Sequence, residues 1–257
     1  MRAQTLAAAA GWRWILGGLA IYRRNPPMLS MLVVSYWFIV VLLNIFPVVG
    51  ALAASAVIPA LSVGLMQATR NLERGVPLNM QTLFSAFGER TRSLLLLGAL
   101  YLLCTLGVLG VSTVADGGDL LRYMLASNPV ERAALEESNF ALPGLLVAAL
   151  MTPLMMAWWF APVLVAWHRL TIAKALFFSF VACWMNWRPF LVYGLALLLA
   201  AVIGPGILLG LLLILLPGAQ QFATVIVTVA IALIIAPTIF ASFYVGYRDI
   251  FGISEIV

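Results

Sequence analysis

The residues that could carry out chemistry are few in this sequence, and they form no catalytic motif. His168 is the single histidine, and Cys104 and Cys183 are the two cysteines. No carboxylate or cysteine lies three or four residues from His168, the spacing at which side chains of one helix could share a metal ion. A nucleophilic pair would need His168 beside a serine or Cys183, which the sequence leaves open. We therefore predict no metal site, no cofactor and no enzymatic activity.

Three arginines provide the candidate binding site. Arg70, Arg169 and Arg248 each follow a hydrophobic stretch that contains a proline. Guanidinium groups bind phosphate through charge-assisted, often bidentate hydrogen bonds. If the three side chains converge, they would form a pocket for an anionic lipid headgroup; if they diverge, each is a separate membrane anchor. Glu73 lies three residues after Arg70 and could pair with it on one helix face.

The elements that carry these residues must lie in a membrane. Of the 257 residues, 64% are hydrophobic and 9% are charged, whereas soluble domains contain about 25% charged residues. The stretches without charge have room for six helical spans of about 20 residues each. We predict an all-α membrane protein with one domain, residues 1–257. Its predicted spans are about 26–50, 51–70, 93–114, 141–167, 189–216 and 222–247.

The distribution of basic residues predicts the orientation of the spans. Of the 14 Lys and Arg, 12 lie in four segments: the N-terminal segment, 70–92, 169–188 and the C-terminal segment. These alternate with an acidic loop near 115–140 and an uncharged turn near 216–220. The positive-inside rule places both termini in the cytoplasm. The net charge of +5 then reflects topology and contact with the phospholipid bilayer, and it does not indicate nucleic-acid binding.

The linkers before the odd-numbered spans share an aromatic, basic character. Segments 2–24, 78–92 and 171–188 have the composition of helices that lie along a membrane surface. We predict three pseudo-repeats, each an interfacial helix followed by a two-span hairpin. The alternative, that these features are ordinary in membrane helices, stays open.

Prolines and small residues of the even-numbered spans support the same repeat. Pro59 and Pro237 each lie 11 residues before an arginine, and Pro162 lies seven residues before one. Small residues, among them Gly64 and Gly246, recur at intervals of four, which lets helices approach closely. We predict kinks at the three prolines and contact among the even-numbered spans.

Several short motifs resemble a known family. They are Pro59-Ala60-Leu61-Ser62-Val63-Gly64-Leu65-Met66 followed by Arg70, Glu73 and Gly75; Trp159-Phe160-Ala161-Pro162; and Asn186-Trp187-Arg188-Pro189-Phe190. They resemble uncharacterised proteobacterial inner-membrane proteins of about this length. The resemblance covers most of the chain, and it implies six helices in the inner membrane and no established activity.

Three functions remain at this point. The first is a non-enzymatic protein that binds lipid or a membrane protein partner. The second is a passive channel or transporter along the repeat axis, which a polar cavity would favour. The third is a lipid enzyme, which an acid or thiol beside His168 would favour. No ionisable residue lies in the middle of a predicted span, which argues against ion-coupled transport.

Overall fold

The described part of the chain is helical and contains six helices long and apolar enough to span a membrane. The computed structural model describes residues 3–46, 48–125, 140–215 and 218–252. Spans 1 to 6 are Pro26–Asn44, Val49–Glu73, Thr91–Val114, Ala141–His168, Trp187–Leu215 and Gln220–Phe251. The predicted fold class and number of spans are thus confirmed. The predicted acidic loop lies partly outside the described residues.

Spans 1 to 3 are single α-helices, whereas spans 4 to 6 are interrupted. The α-helices are α1 Ala10–Tyr22, α2 Pro26–Asn44, α3 Val49–Glu73, α4 Thr91–Asp116, α5 Asp119–Leu125, α6 Ala141–Trp159, α7 Ala161–His168, α8 Ile172–Met185, α9 Trp187–Leu198, α10 Gly204–Leu215, α11 Gln220–Ala230 and α12 Ala236–Phe251. A 3₁₀-helix spans Met80–Phe84, and π-helical segments span Leu199–Ile203 and Ile231–Ile235. Span 4 therefore combines α6 with α7, while spans 5 and 6 each contain a π-helical segment.

The best-packed region lies where α3, α7 and α12 finish, which we call the arginine end. Large side chains such as Trp14, Leu65, Leu164 and Tyr247 are fully buried there. At the far end of span 5, by contrast, Ile214 and other apolar side chains are exposed. Such outward-facing apolar surface is what a bilayer solvates.

Two of the three predicted interfacial segments form α-helices. α1 runs antiparallel to α12, because Trp14 contacts Gly246 and Gly18 contacts Ser242. α8 occupies most of the third segment. Their orientation relative to the membrane plane, like the three-repeat organisation, stays a prediction.

The middle segment is shorter than the predicted helix at 78–92. Before α4 begins at Thr91, its helical part is the 3₁₀-helix. Asn79 caps the first turn of this element by accepting hydrogen bonds from the Thr82 amide and hydroxyl. Pro77 and Gly88 on either side disfavour a longer helix. The short element also lets the backbone of Leu83 lie directly against Gly64 of α3.

The three predicted kink prolines have three different local structures. Pro59 lies inside the continuous helix α3, Pro162 begins α7 after a break, and Pro237 begins α12 after a π-helical segment. Pro237 has no N–H, so it leaves the carbonyl of Leu233, four residues earlier, without its helical donor. The hydroxyls of Tyr22 and Ser30 donate to that carbonyl at 2.8 and 2.6 Å.

The break at Phe160 is completed by a side chain from α8. The Ser179 hydroxyl accepts a hydrogen bond from the Phe160 amide at 2.9 Å and donates to the Met156 carbonyl at 2.8 Å. The hydroxyl thereby bridges two groups that an unbroken helix would join directly, and such an insertion is a known cause of kinks. The break determines how α7 enters the centre of the bundle.

Candidate functional site

A cavity lies in the middle of the bundle, between spans 1, 2, 3, 4 and 6. Its volume is about 610 Å³, within the range of about 300–1,000 Å³ typical of small-molecule sites. Its walls are Tyr36, Ser55, Ile58, Pro59, Ser62, Met66, Gly98, Tyr101, Leu102, Thr105, Met155, Trp158, Trp159, Pro162, Val163, Ile239, Phe240 and Phe243. Apolar and aromatic side chains predominate, so the cavity suits a hydrophobic ligand.

Proline and glycine residues shape this cavity. The predicted kink residues Pro59 and Pro162 both line it, whereas Pro237 lies just before the wall formed by α12. Gly98 lets α4 approach α3 closely: a Cβ atom at this position would lie 2.1 Å from the Ser55 carbonyl oxygen. The close approach of these two helices forms one side of the cavity.

The polar groups of the cavity are hydroxyls. Ser62 donates to the Ile58 carbonyl of its own helix at 2.8 Å. The Thr105 hydroxyl oxygen is buried and has no hydrogen-bond partner among the described residues. No Asp, Glu, Lys, Arg or His is among the described residues that line the cavity.

A charged network at the arginine end joins α3 to α12. Arg248 forms ion pairs with Glu73 and with Asp249, the latter at 2.8 Å. The Tyr244 hydroxyl donates to the other oxygen of Glu73 at 2.6 Å. Glu73 therefore pairs with Arg248. The three-residue spacing in the sequence had suggested Arg70 as its partner. Tertiary contact with α12 supplies a closer partner than the neighbouring helical turn.

Arg70 lies near this network without an ion pair in the described part of the chain. Its guanidinium carbon is 4.8 Å from the centre of the Trp167 ring, which is a cation–π contact. The Trp167 ring also packs against Tyr244 and Tyr247. The Nε atom of Arg70 is buried and has no hydrogen-bond partner among the described residues.

Arg169 differs from the other two predicted site arginines. It ends α7 in a left-handed backbone conformation with φ of 53°. Its side chain is 68% exposed and forms an ion pair at 3.0 Å with Glu89, which is 78% exposed. The structure thus places Arg70 and Arg248 around Tyr244 and directs Arg169 toward Glu89.

His168 and Cys183 lie in separate environments. The Nε2 atom of His168 is 2.5 Å from the Tyr247 hydroxyl. Cys183 is buried in α8, and burial raises the pKa of its thiol to about 12, against a smaller lowering by a hydrogen bond with Ser179. A thiol with such a pKa stays protonated at neutral pH and is a poor nucleophile.

The sequence of one known protein matches this chain over nearly its full length. A probable inner membrane protein of Burkholderia thailandensis is 37% identical to it over 259 residues, which cover 97% of this chain and 94% of the relative. This chain belongs to the same family. The resemblance inferred from the short motifs is thereby confirmed. The name of the relative states a location and no activity. No family model and no solved structure matches the chain.

One buried polar residue of this multi-pass inner-membrane protein was not among the predicted site residues. Asn186, between α8 and α9, is fully buried. Its amide donates to the Gln4 carbonyl at 2.9 Å, and its side-chain oxygen accepts from the Leu6 amide at 2.9 Å. Asn186 therefore fixes the segment before α1 against the bundle. An asparagine among apolar and aromatic neighbours is the signal that could have identified it.

Proposed function

We propose that this protein is a non-enzymatic inner-membrane protein that binds lipid, with an acyl chain in the central cavity. The observation that carries the proposal is the cavity itself. It lies between spans, where acyl chains are the surrounding solvent, and its walls are mostly apolar. An acyl chain that fits the cavity gains dispersion contacts with its walls that loosely packed bilayer lipid does not offer.

The lining favours an acyl chain over an ion or polar solute. A path for ions needs rings of carbonyls or charged side chains. The described walls of the cavity offer scattered hydroxyls such as those of Ser62 and Thr105 instead. The passive channel or transporter therefore ranks below lipid binding.

The chemistry near His168 supports a non-enzymatic role. Its described hydrogen-bond partner is the Tyr247 hydroxyl, and a catalytic histidine would instead need an acidic or nucleophilic group within reach. Cys183, the candidate nucleophile, is buried in α8, and burial raises the pKa of its thiol. The contact of His168 with Tyr247 joins span 4 to span 6.

The proposal includes an orientation with both termini in the cytoplasm. It is supported by the 12 of 14 basic residues that lie in the four segments assigned to that side. The arginine end then meets the cytoplasmic leaflet, whose anionic lipids attract guanidinium groups. The ligand would be a lipid of that leaflet.

Filling the cavity tests the proposal. Thr105→Phe places an aromatic ring into the cavity, and Thr152→Phe makes the same change at an exposed position of span 4. After purification in mild detergent, native mass spectrometry counts the lipid molecules that remain bound to each variant. We expect Thr105→Phe to lose the retained lipid and Thr152→Phe to keep it. Equal retention by the two variants would show that the cavity does not hold the lipid.

A further inference from the structure

Three of the helices that line the central cavity continue to the arginine end. On each helix, a residue of the cavity wall is followed four positions later, one turn further on, by a residue of the aromatic and cationic group at that end. The pairs are Met66 and Arg70, Val163 and Trp167, and Phe243 and Tyr247. Cα–Cβ bonds of a helix tilt toward its N-terminus, so those of Arg70 and Trp167 tilt toward the turn that lines the cavity.

Of the three predicted site arginines, Arg70 is the one without a carboxylate partner in the described structure. Arg248 is held between Glu73 and Asp249, and Arg169 is paired with Glu89. The Nε atom of Arg70, by contrast, is buried without a partner. A buried donor left in this state costs free energy that a hydrogen-bonded anion would recover.

The charges around Arg70 are predominantly positive. Arg24 donates to the terminal carbonyls of α3, at Leu72 and Glu73. With Arg70, Arg74 and Arg248, four guanidinium groups lie at this end against the two carboxylates of Glu73 and Asp249, so positive charge is in excess. The guanidinium of Arg70 lies over the Trp167 ring, and this contact restricts the positions that the guanidinium can take.

We infer that Arg70, Trp167 and the central cavity together form a binding site for one lipid with an anionic headgroup. The acyl chain occupies the cavity, and the phosphate or carboxylate accepts hydrogen bonds from Arg70. This inference rests on the proposed function and adds the ligand class and the residue that selects it. It also reduces the three-arginine pocket to a single arginine, since the other two have carboxylate partners.

The anion could belong to a phospholipid or to a free fatty acid, because both offer an oxyanion joined to an acyl chain. A zwitterionic phospholipid has the same phosphate but carries an amine that the excess positive charge repels. The site should therefore retain phosphatidylglycerol in preference to phosphatidylethanolamine. The preference should depend on Arg70 and not on exposed arginines.

The experiment compares Arg70→Gln with Arg169→Gln, two arginines near the same end of the bundle. Each purified protein is mixed with equimolar dioleoyl phosphatidylglycerol and dioleoyl phosphatidylethanolamine, and native mass spectrometry measures the ratio retained. We expect the preference for phosphatidylglycerol to fall at least about tenfold in Arg70→Gln, as for loss of a charged hydrogen bond. Arg169→Gln should keep the wild-type ratio. In a second arm, equimolar oleate that displaces phosphatidylglycerol would identify a fatty acid as the better ligand, and failure to displace it would identify the phospholipid.

A wild-type ratio in Arg70→Gln would overturn the inference, as would an equal fall in both arginine variants, which would indicate diffuse attraction. If Arg70→Gln is too unstable to purify, Arg70→Met takes its place, because the flexible apolar side chain of methionine can pack against Trp167. Thr105→Phe separates the two proposals. Lipid that binds normally to Thr105→Phe contradicts lipid binding in the cavity, whereas lipid binding without Arg70-dependent selection contradicts only the inference drawn here.

Discussion

Ser179 joins two backbone groups that the break at Phe160 separates. In the membrane, neither the Phe160 amide nor the Met156 carbonyl could turn to bulk water, so a protein group must satisfy both. The Ser179 hydroxyl does so from α8, as the donor to one and the acceptor from the other. A single oxygen therefore connects span 4 to the helix that follows it.

Ser179→Ala should destabilise the protein by about 1–3 kcal/mol, because it leaves two buried backbone groups without partners. Chemical unfolding in detergent micelles measures the change. Ser112→Ala is the matched control: Ser112 is also buried, but its hydroxyl bonds only to the Leu109 carbonyl of its own helix. Equal stability of the two variants would mean that the bridge contributes nothing beyond an ordinary serine.

Cys183 should react slowly with alkylating reagents while the protein is folded. Its pKa rises from 9.0 to about 12 on burial, which lowers the thiolate fraction at pH 8 by about three orders of magnitude. A raised pKa also means that the protonated thiol stabilises the fold fully below pH 9 and that this contribution disappears as the pH rises toward 12. In a Cys104→Ser background, alkylation should be slow at pH 8 and become fast on unfolding. A rapid reaction in the folded state would contradict the burial of Cys183.

Gly64 determines how closely the 3₁₀-helix approaches span 2. A Cβ atom at position 64 would lie 1.9 Å from the Leu83 carbonyl oxygen, so a side chain there must push backbone away. The partner of this glycine is thus a connecting element, whereas the spacing of small residues suggested an even-numbered span. Gly246 has a different neighbour, the indole ring of Trp14 in α1.

Gly64→Ala should destabilise the protein by about 1–3 kcal/mol through overpacking. Gly107→Ala, at a helical glycine with open space around it, should leave stability unchanged or raise it slightly, because alanine favours helix. Thermal unfolding of both variants in the same detergent provides the comparison. A loss of stability in Gly107→Ala alone would contradict the close contact described at Gly64 and the open space described at Gly107.

The sequence predicts elements better than contacts. Spans follow from the lack of charge over long stretches, and Pro162 marks the neighbourhood of a real break. The ion pair of Glu73 with Arg248 could not be predicted in this way, because it joins residues 175 positions apart. The cavity is similarly a property of five spans together, and no local pattern indicates a space between helices.

The orientation of the whole molecule can be tested with cysteines in intact cells. In a background without Cys104 and Cys183, an impermeant thiol reagent should label Glu131→Cys, since the acidic loop is assigned to the outside. Arg74→Cys, at the arginine end, should react only after the membrane is permeabilised. The opposite pattern would reverse the topology and would put the arginine end in the other leaflet.

The carbonyl of Leu233 has a consequence for the assembly of the protein in the cell. Its two donors, Tyr22 and Ser30, are made early, while Leu233 belongs to the last span. The Gln4 amide likewise donates a hydrogen bond to the Ile250 carbonyl, which is synthesised near the end of the described chain. The first two helices are therefore synthesised long before the groups that they bind in span 6 exist. We therefore expect the bundle to reach its final structure only after span 6 has been synthesised, and not on insertion of an earlier hairpin.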